Sequence, residues 1–202
     1  MRNQWGKDMK TRLMAALLLM AACLELAGCA SAPKLGGADT TGFDAGGATV
    51  QVEYTLPAND KAKAGEMETL RAKRLVEIHQ LLAGHGFKPQ AGGATDFQIR
   101  VVEGADEDIT GEWTGAIGAS VALFSLGTVP AVFDYRNKFH YELWSGQKRI
   151  HAIDTPADWK NPVSLLSLAS SKLSGADIAK HKARVGAHDS VIRLWIDQGS
   201  FE

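Results

Sequence analysis

Apolar and polar positions first fall into register at Val50. Val50, Val52 and Tyr54 alternate with Gln51, Glu53 and Thr55, which predicts a half-buried strand. Leu56-Pro57-Ala58-Asn59-Asp60 breaks it. The period then lengthens to that of a helix over about 61–83, with Met67, Leu70, Leu75, Ile78, Leu81 and Leu82 on one side. Gly84-His85-Gly86 supplies the stop, because glycine tolerates the left-handed conformation that closes a helix. Phe87 opens a short strand, Gly92-Gly93 marks a turn, and Phe97, Ile99 and Val101 set a further strand. Phe133 to Trp144 predicts a long strand, with a bulge near Asn137 and Lys138 where polar residues disturb the period. Ser145-Gly146-Gln147 is a hairpin turn, and Arg149 to Ile153 its return strand. Helices are expected near 163–173 and 189–198; Val191 to Ile196 also fits a strand.

A long helix between strands, then adjacent strands and a late helix, predicts an α+β fold. It is a two-layer sandwich of a mainly antiparallel sheet with one long amphipathic helix and a C-terminal helix. Residues 48–202 form this single domain. Residues 30–47 carry five glycines and no apolar period, and read as a flexible tether with a root-mean-square span of roughly 23 Å.

One apolar run stands apart. Trp113 to Phe133 carries no charge, and Glu112 and Asp134 bound it. Its length just reaches that of a membrane-spanning helix, but Gly115, Gly118, Gly127 and Pro130 interrupt it. Three readings stay open: a buried core hairpin or helix, a segment resting in a bilayer interface with Trp113 and Tyr135 at its flanks, and a transmembrane helix. Trp159, followed by Val163, Leu165, Leu166 and Leu168, is a second apolar piece one hairpin away. The two are expected at one end of the sheet, near the N-terminal anchor described next, as a single membrane-facing or partner-facing edge. Its candidate contacts are Trp113, Ile117, Val121, Leu123, Phe124, Leu126, Trp159, Leu165 and Leu166.

The first thirty residues read as an address. Arg2, Lys7, Lys10 and Arg12 precede an uncharged stretch, Leu13 to Leu24, too short to span a bilayer. Translation starting at Met1 or at Met9 leaves this pattern intact. Leu26-Ala27-Gly28-Cys29 follows and resembles the lipobox of bacterial lipoproteins; Met20-Ala21-Ala22-Cys23 is a weaker match. The resemblance implies that residues 1–28 are removed and that Cys29 carries a diacylglyceryl group, with its freed amine acylated. Two or more acyl chains hold a protein stably on a bilayer. Ala30 and Ser31 after the cysteine, where inner-membrane members carry Asp, imply the outer membrane and its periplasmic face. Ser125-Leu126-Gly127-Thr128-Val129-Pro130 resembles a stretch found in small proteobacterial lipoproteins of unassigned role, and brings no catalytic residue with it.

Composition narrows the chemistry. Twenty-two Lys and Arg against 23 Asp and Glu leave a formal charge of −1, with no basic excess for a nucleic acid. Both cysteines lie in the first thirty residues, so the body offers no cysteine metal site and no disulfide. No nucleophile elbow, phosphate loop or dinucleotide fingerprint occurs. Glu103, Asp106, Glu107, Asp108 and Glu112 form an acidic stretch; Lys172, Lys180, His181, Lys182 and Arg184 form a basic one. Both are read as solvated surface. Asp106-Glu107-Asp108 lacks the remaining parts of a calcium loop. His181 and His188 are read as surface imidazoles on either side of an interrupting Gly186, and His140 and His151 as a structural cross-strand pair. The reading is a non-enzymatic lipid-anchored envelope protein that binds, assembles or scaffolds, with no cofactor and no metal. Its partners are the membrane through the anchor and an envelope protein. A lipid- or peptidoglycan-binding module using an edge of 113–133 and 162–169 is the alternative, and a hydrolase with a noncontiguous site a weaker one.

Overall fold

The computed structural model describes residues 40, 42–59, 63–125, 129–163 and 175–202. The signal, Cys29, Leu126, Leu165, Leu166 and the helix expected at 163–173 (apart from Val163) lie outside them. The elements in chain order are β1 (Thr49–Thr55), α1 (Ala64–Gly84), β2 (Lys88–Gln90), β3 (Phe97–Glu103), β4 (Glu107–Asp108), α2 (Glu112–Phe124), β5 (Ala131–Ser145), β6 (Lys148–Val163) and α3 (Gly175–Asp197). They make an α+β fold with one open, mixed, six-stranded sheet.

β1 lies between β2 and β3 and is parallel to both; β3, β4 and β6 each pair antiparallel with β5. Since β6 runs along one edge of β5, β3 and β4 share the other, at residues 139–144 and 135–136 of β5. Strict alternation buries Val50, Val52 and Tyr54 on β1 and Ile99, Val101 and Glu103 on β3. On β5 it buries Asn137, Phe139, Tyr141 and Leu143. The opposite face is an ion-pair lattice in water, including Arg136–Asp158 (2.8 Å), Lys138–Glu107 (3.0 Å) and Arg149–Glu142 (2.8 Å).

α1 covers the inner face through Ile78 and Leu82, with Leu75 and Leu81 partly buried. It ends at Gly84, and Gly86 (φ +84) turns the chain; a Cβ at Gly86 would collide with the Asp44 carboxylate. Leu70, expected in the apolar stripe, is exposed, because nothing from residue 65 to 73 is buried against the sheet.

Several expectations are corrected. The return strand runs to Val163 rather than Ile153, because β6 is an edge strand and tolerates Pro156 and Pro162. No bulge forms at Asn137 and Lys138, since Asn137 is an inward position with a polar partner. The register shift lies between Leu143 and Trp144, where Ile150 is the extra residue of β6. α3 begins fourteen residues before 189 and runs straight through Gly186. Its sheet-facing stripe is Ala179, Ala183, Ala187 and Val191, all buried, too small to register as an apolar pattern. His140 faces Asp154 (Nδ1 to Oδ1, 2.7 Å), and His151 lies opposite Leu143, so the two histidines do not pair.

The folded body also reaches into the segment read as linker. Phe43 packs on Phe87 (ring centroids 5.9 Å apart), and the Ala45 N–H donates to the His85 carbonyl (3.2 Å). A single aromatic among glycines supplies the burial that composition alone conceals. Phe201 closes the same end of the core against Phe87 and Phe97 (4.7 and 5.1 Å).

Candidate functional site

α2 is built inside out. Gly111 caps it in an extended conformation, and Glu112 sits favourably in the first turn against the helix dipole. The Ser125 N–H closes the last turn on the Val121 carbonyl (2.9 Å). At 100° per residue, Trp113, Ile117, Ser120, Val121 and Phe124 share one side, and Gly115, Gly118 and Ala122 the other. An ordinary surface helix turns its large apolar side chains to the body. Here the glycines and alanine do so: a Cβ on Gly118 would lie 3.9 Å from Ala131, and one on Gly115 3.3 Å from the Thr110 methyl. The large residues face water, with Phe124 87% exposed, Trp113 83%, Leu123 75%, Ile117 60% and Val121 45%.

No residue of α2 is buried, so the core reading does not hold for 113–124, although Ala131 beyond it is buried. Among the described residues, no helix is long and apolar enough to cross a membrane. Val129 and Val132 extend the exposed apolar area toward β5.

Trp159 does not belong to this surface. It is a β6 residue facing the helices, buried, stacked on Tyr135 (5.8 Å, 14°) with the Lys180 ammonium 5.4 Å from its ring. Strand parity explains the correction, because the strand continues where a helix approach was expected. Tyr135 lies half-buried in that stack and does not flank an interface. Ala131 does pair with Val163, so the chain leaving β6 and the chain entering β5 share one end of the sheet. That end is opposite the N-terminal entry. Val50 is level with Phe97, and Gln98 with Trp144, so the chain enters beside the β5–β6 turn. Ala131 is fourteen residues back along β5, roughly 45 Å at about 3.3 Å per residue. The expected closeness of the apolar edge to the anchor concerns Cys29, which lies outside the described residues.

The second constellation is a buried charge network between sheet and helices. Glu103, at the end of β3, accepts from the Tyr54 hydroxyl (2.6 Å) and Arg74 Nε (3.2 Å). Arg184 of α3 donates twice to Glu77 of α1 (3.0 and 3.1 Å), and Arg74 lies 3.7 Å from the same carboxylate. All four charged side chains are buried. Asn137 donates to Asp106 (3.0 Å), which also takes Lys180. Glu103 and Arg184 thus leave the solvated stretches to which the sequence assigned them, because each finds an opposite charge across the layer. Glu107 pairs with Lys138, and Asp108 accepts from the Thr110 N–H (2.9 Å), so the three carboxylates at 106–108 diverge to separate partners.

His188 is likewise not a surface residue. It is enclosed by Tyr54, Phe139 and Tyr141 at ring distances of 6.0, 5.3 and 5.7 Å. Burial, reinforced by Arg184 and Arg74, lowers its pKa to about 3, so the ring is neutral. Burial, then the Glu103 charge, raises Tyr141 well above the usual phenol range. The Tyr141 hydroxyl therefore donates to Nδ1 (2.6 Å), and the proton of the ring sits on Nε2, which has no partner among the described residues. Apolar flanks and an inward Asn offer no sequence pattern that would have revealed this cluster. A crevice lined by Glu103, Asn137, Phe139, Ala157, Trp159, Lys180 and Arg184 admits no water-sized sphere.

No protein-family model and no curated protein sequence matches the chain. Solved structures similar to it include lipoproteins. A DUF330 protein from Xanthomonas campestris is 8% identical, covering 79% of this chain and 90% of its own, with a TM-score of 0.47. A lipoprotein candidate from Caulobacter crescentus CB15 is 15% identical, covering 73% and 88%, with a TM-score of 0.34. Rare lipoprotein B from Shewanella oneidensis is 13% identical, covering 74% and 95%, with a TM-score of 0.36. At these values no residue role passes from them to this chain.

Proposed function

We propose that the chain is an envelope lipoprotein, held by acyl chains on Cys29 at the periplasmic face of the outer membrane. Its folded body is a non-enzymatic docking module that works through the outer face of α2. The Leu26-Ala27-Gly28-Cys29 motif supports the anchor. The observation that carries the docking role is the inversion of α2. Its five large side chains leave roughly 600–700 Å² of apolar surface in water, above the largest patch of a typical monomer. The charge network supports a structural rather than a catalytic interior, since its ions pair with one another and the adjoining crevice has no room for a substrate.

Substituting Cys29→Ser tests the anchor. The expected product is unacylated by mass spectrometry and leaves the membrane fraction. A C29S chain that stays with membranes at its former abundance defeats the anchored reading.

A further inference from the structure

We infer that the outer face of α2 is a self-association seam, occupied by α2 of a second copy of this chain in antiparallel orientation. The inference rests on the docking role proposed for that face and names its partner. Trp113, Ile117, Ser120 and Phe124 recur at steps of four, three and four, the spacing of a helix–helix seam about three turns long. A two-fold contact must be self-complementary, with residue i meeting j and j meeting i. Antiparallel pairing about the middle of this seam meets that condition. Trp113 faces Phe124 of the second copy at both ends, and the bulk of Ile117 faces the small Ser120 twice at the centre. Ser120 costs nothing there, because its hydroxyl already donates to the Ala116 carbonyl (2.8 Å).

Area agrees. With Val129 and Val132 added, the exposed apolar side chains approach the ~800 Å² per partner of a standard specific interface. A bilayer suits the face less well. Helices lying in a membrane interface carry Lys or Arg on their polar side, whereas α2 has none and begins at Glu112. Cys29 and Thr40 are eleven residues apart, at most about 40 Å of chain. The body it leads is entered some 45 Å from where α2 meets the sheet. Copies anchored on one membrane share the same depth, which raises the effective concentration at which two α2 faces meet.

The test uses the full-length chain in intact cells. Ala116→Cys, exposed beside the seam, reports proximity with a short bismaleimide; Lys148→Cys at the β5–β6 turn is the control for crowding. A116C is expected to give a covalent dimer and K148C not. Ile117→Asp in the A116C chain is expected to lower the dimer at least about tenfold. Ile117→Asp with Ser120→Lys in one chain restores it, because each new Asp then meets a Lys of the other copy. Far-UV circular dichroism of the purified I117D chain is expected to match the parent, since the Ile117 side chain is exposed. Absence of the A116C dimer, an equal dimer from K148C, insensitivity to I117D, or failure of the second charge to restore pairing would each overturn the seam. Lipid shielding of A116C without a dimer, or its capture by another protein alone, does the same. A C29S chain that remains on membranes while A116C still dimerises defeats the anchor and leaves the seam standing.

Discussion

α2 and α3 lay the same kind of surface on the sheet and opposite kinds on the solvent. α3 approaches through Ala179, Ala183 and Ala187, then widens to Val191, Ile192 and Trp195, and its remaining positions are largely polar. α2 approaches through Gly115, Gly118 and Ala122, and everything large is outside. Small residues on the inner side let a helix lie close to a strand in either case. What differs is that α3 completes the core, whereas α2 adds almost nothing to it. The fold does not require Trp113, Ile117, Leu123 or Phe124, and their chemistry is left for contact with something else.

The comparison breaks hardest at the α3 side. Arg184→Leu leaves Glu77 buried without its double hydrogen bond and is expected to destabilise the fold by about 3–5 kcal/mol in denaturant titration. Adding Glu77→Leu should recover much of that loss, and a double variant no more stable than the single one refutes the pairing. Ala183→Leu forces a larger side chain into a fully buried contact and is expected to cost about 1–3 kcal/mol by the same measurement. Acid probes His188. Its pKa is lower folded than the ordinary 6.5, so the unfolded chain binds the extra proton. Stability is then complete above about pH 6.5 and declines as pH falls toward 3. Between pH 7 and 5 this group should remove about 2 kcal/mol, and His188→Gln should flatten that part of the profile. The smallest effect belongs to α2: Ile117→Ser should change stability by less than about 0.5 kcal/mol while altering association, and a larger loss would show that the helix is part of the core after all.

Elements with a strong period were legible from residues alone. β1, α1, β3 and most of β5 follow from alternation or helical spacing at Val50–Tyr54, Leu75–Leu82, Phe97–Val101 and Phe139–Leu143. The first half of α3 was not legible, because three alanines carry the contact and a mid-helix glycine suggests a break. The far half of β6 was hidden by two prolines that only an edge position excuses. The apolar character of α2 was plain from its lack of charge, yet its outward direction was not. Hydrophobicity states what a side chain would gain from burial, not whether the fold supplies the cover. The charge network was illegible for a related reason: Arg74, Glu77, Glu103 and Arg184 come from three elements, and only the closing of helices over sheet makes each the others' solvent.

The entry of the chain beside Phe43 has a mechanical corollary. β1 is the middle of three parallel strands, and the chain from Phe43 feeds it through the turn at Gly46 and Gly47. Traction from that side, resisted by a grip on α2 at the far end, runs along the strand axis and loads the rungs of both neighbouring ladders together. Such shear is borne collectively, where peeling would part the rungs one after another, and Phe43 against Phe87 takes up the first of the strain.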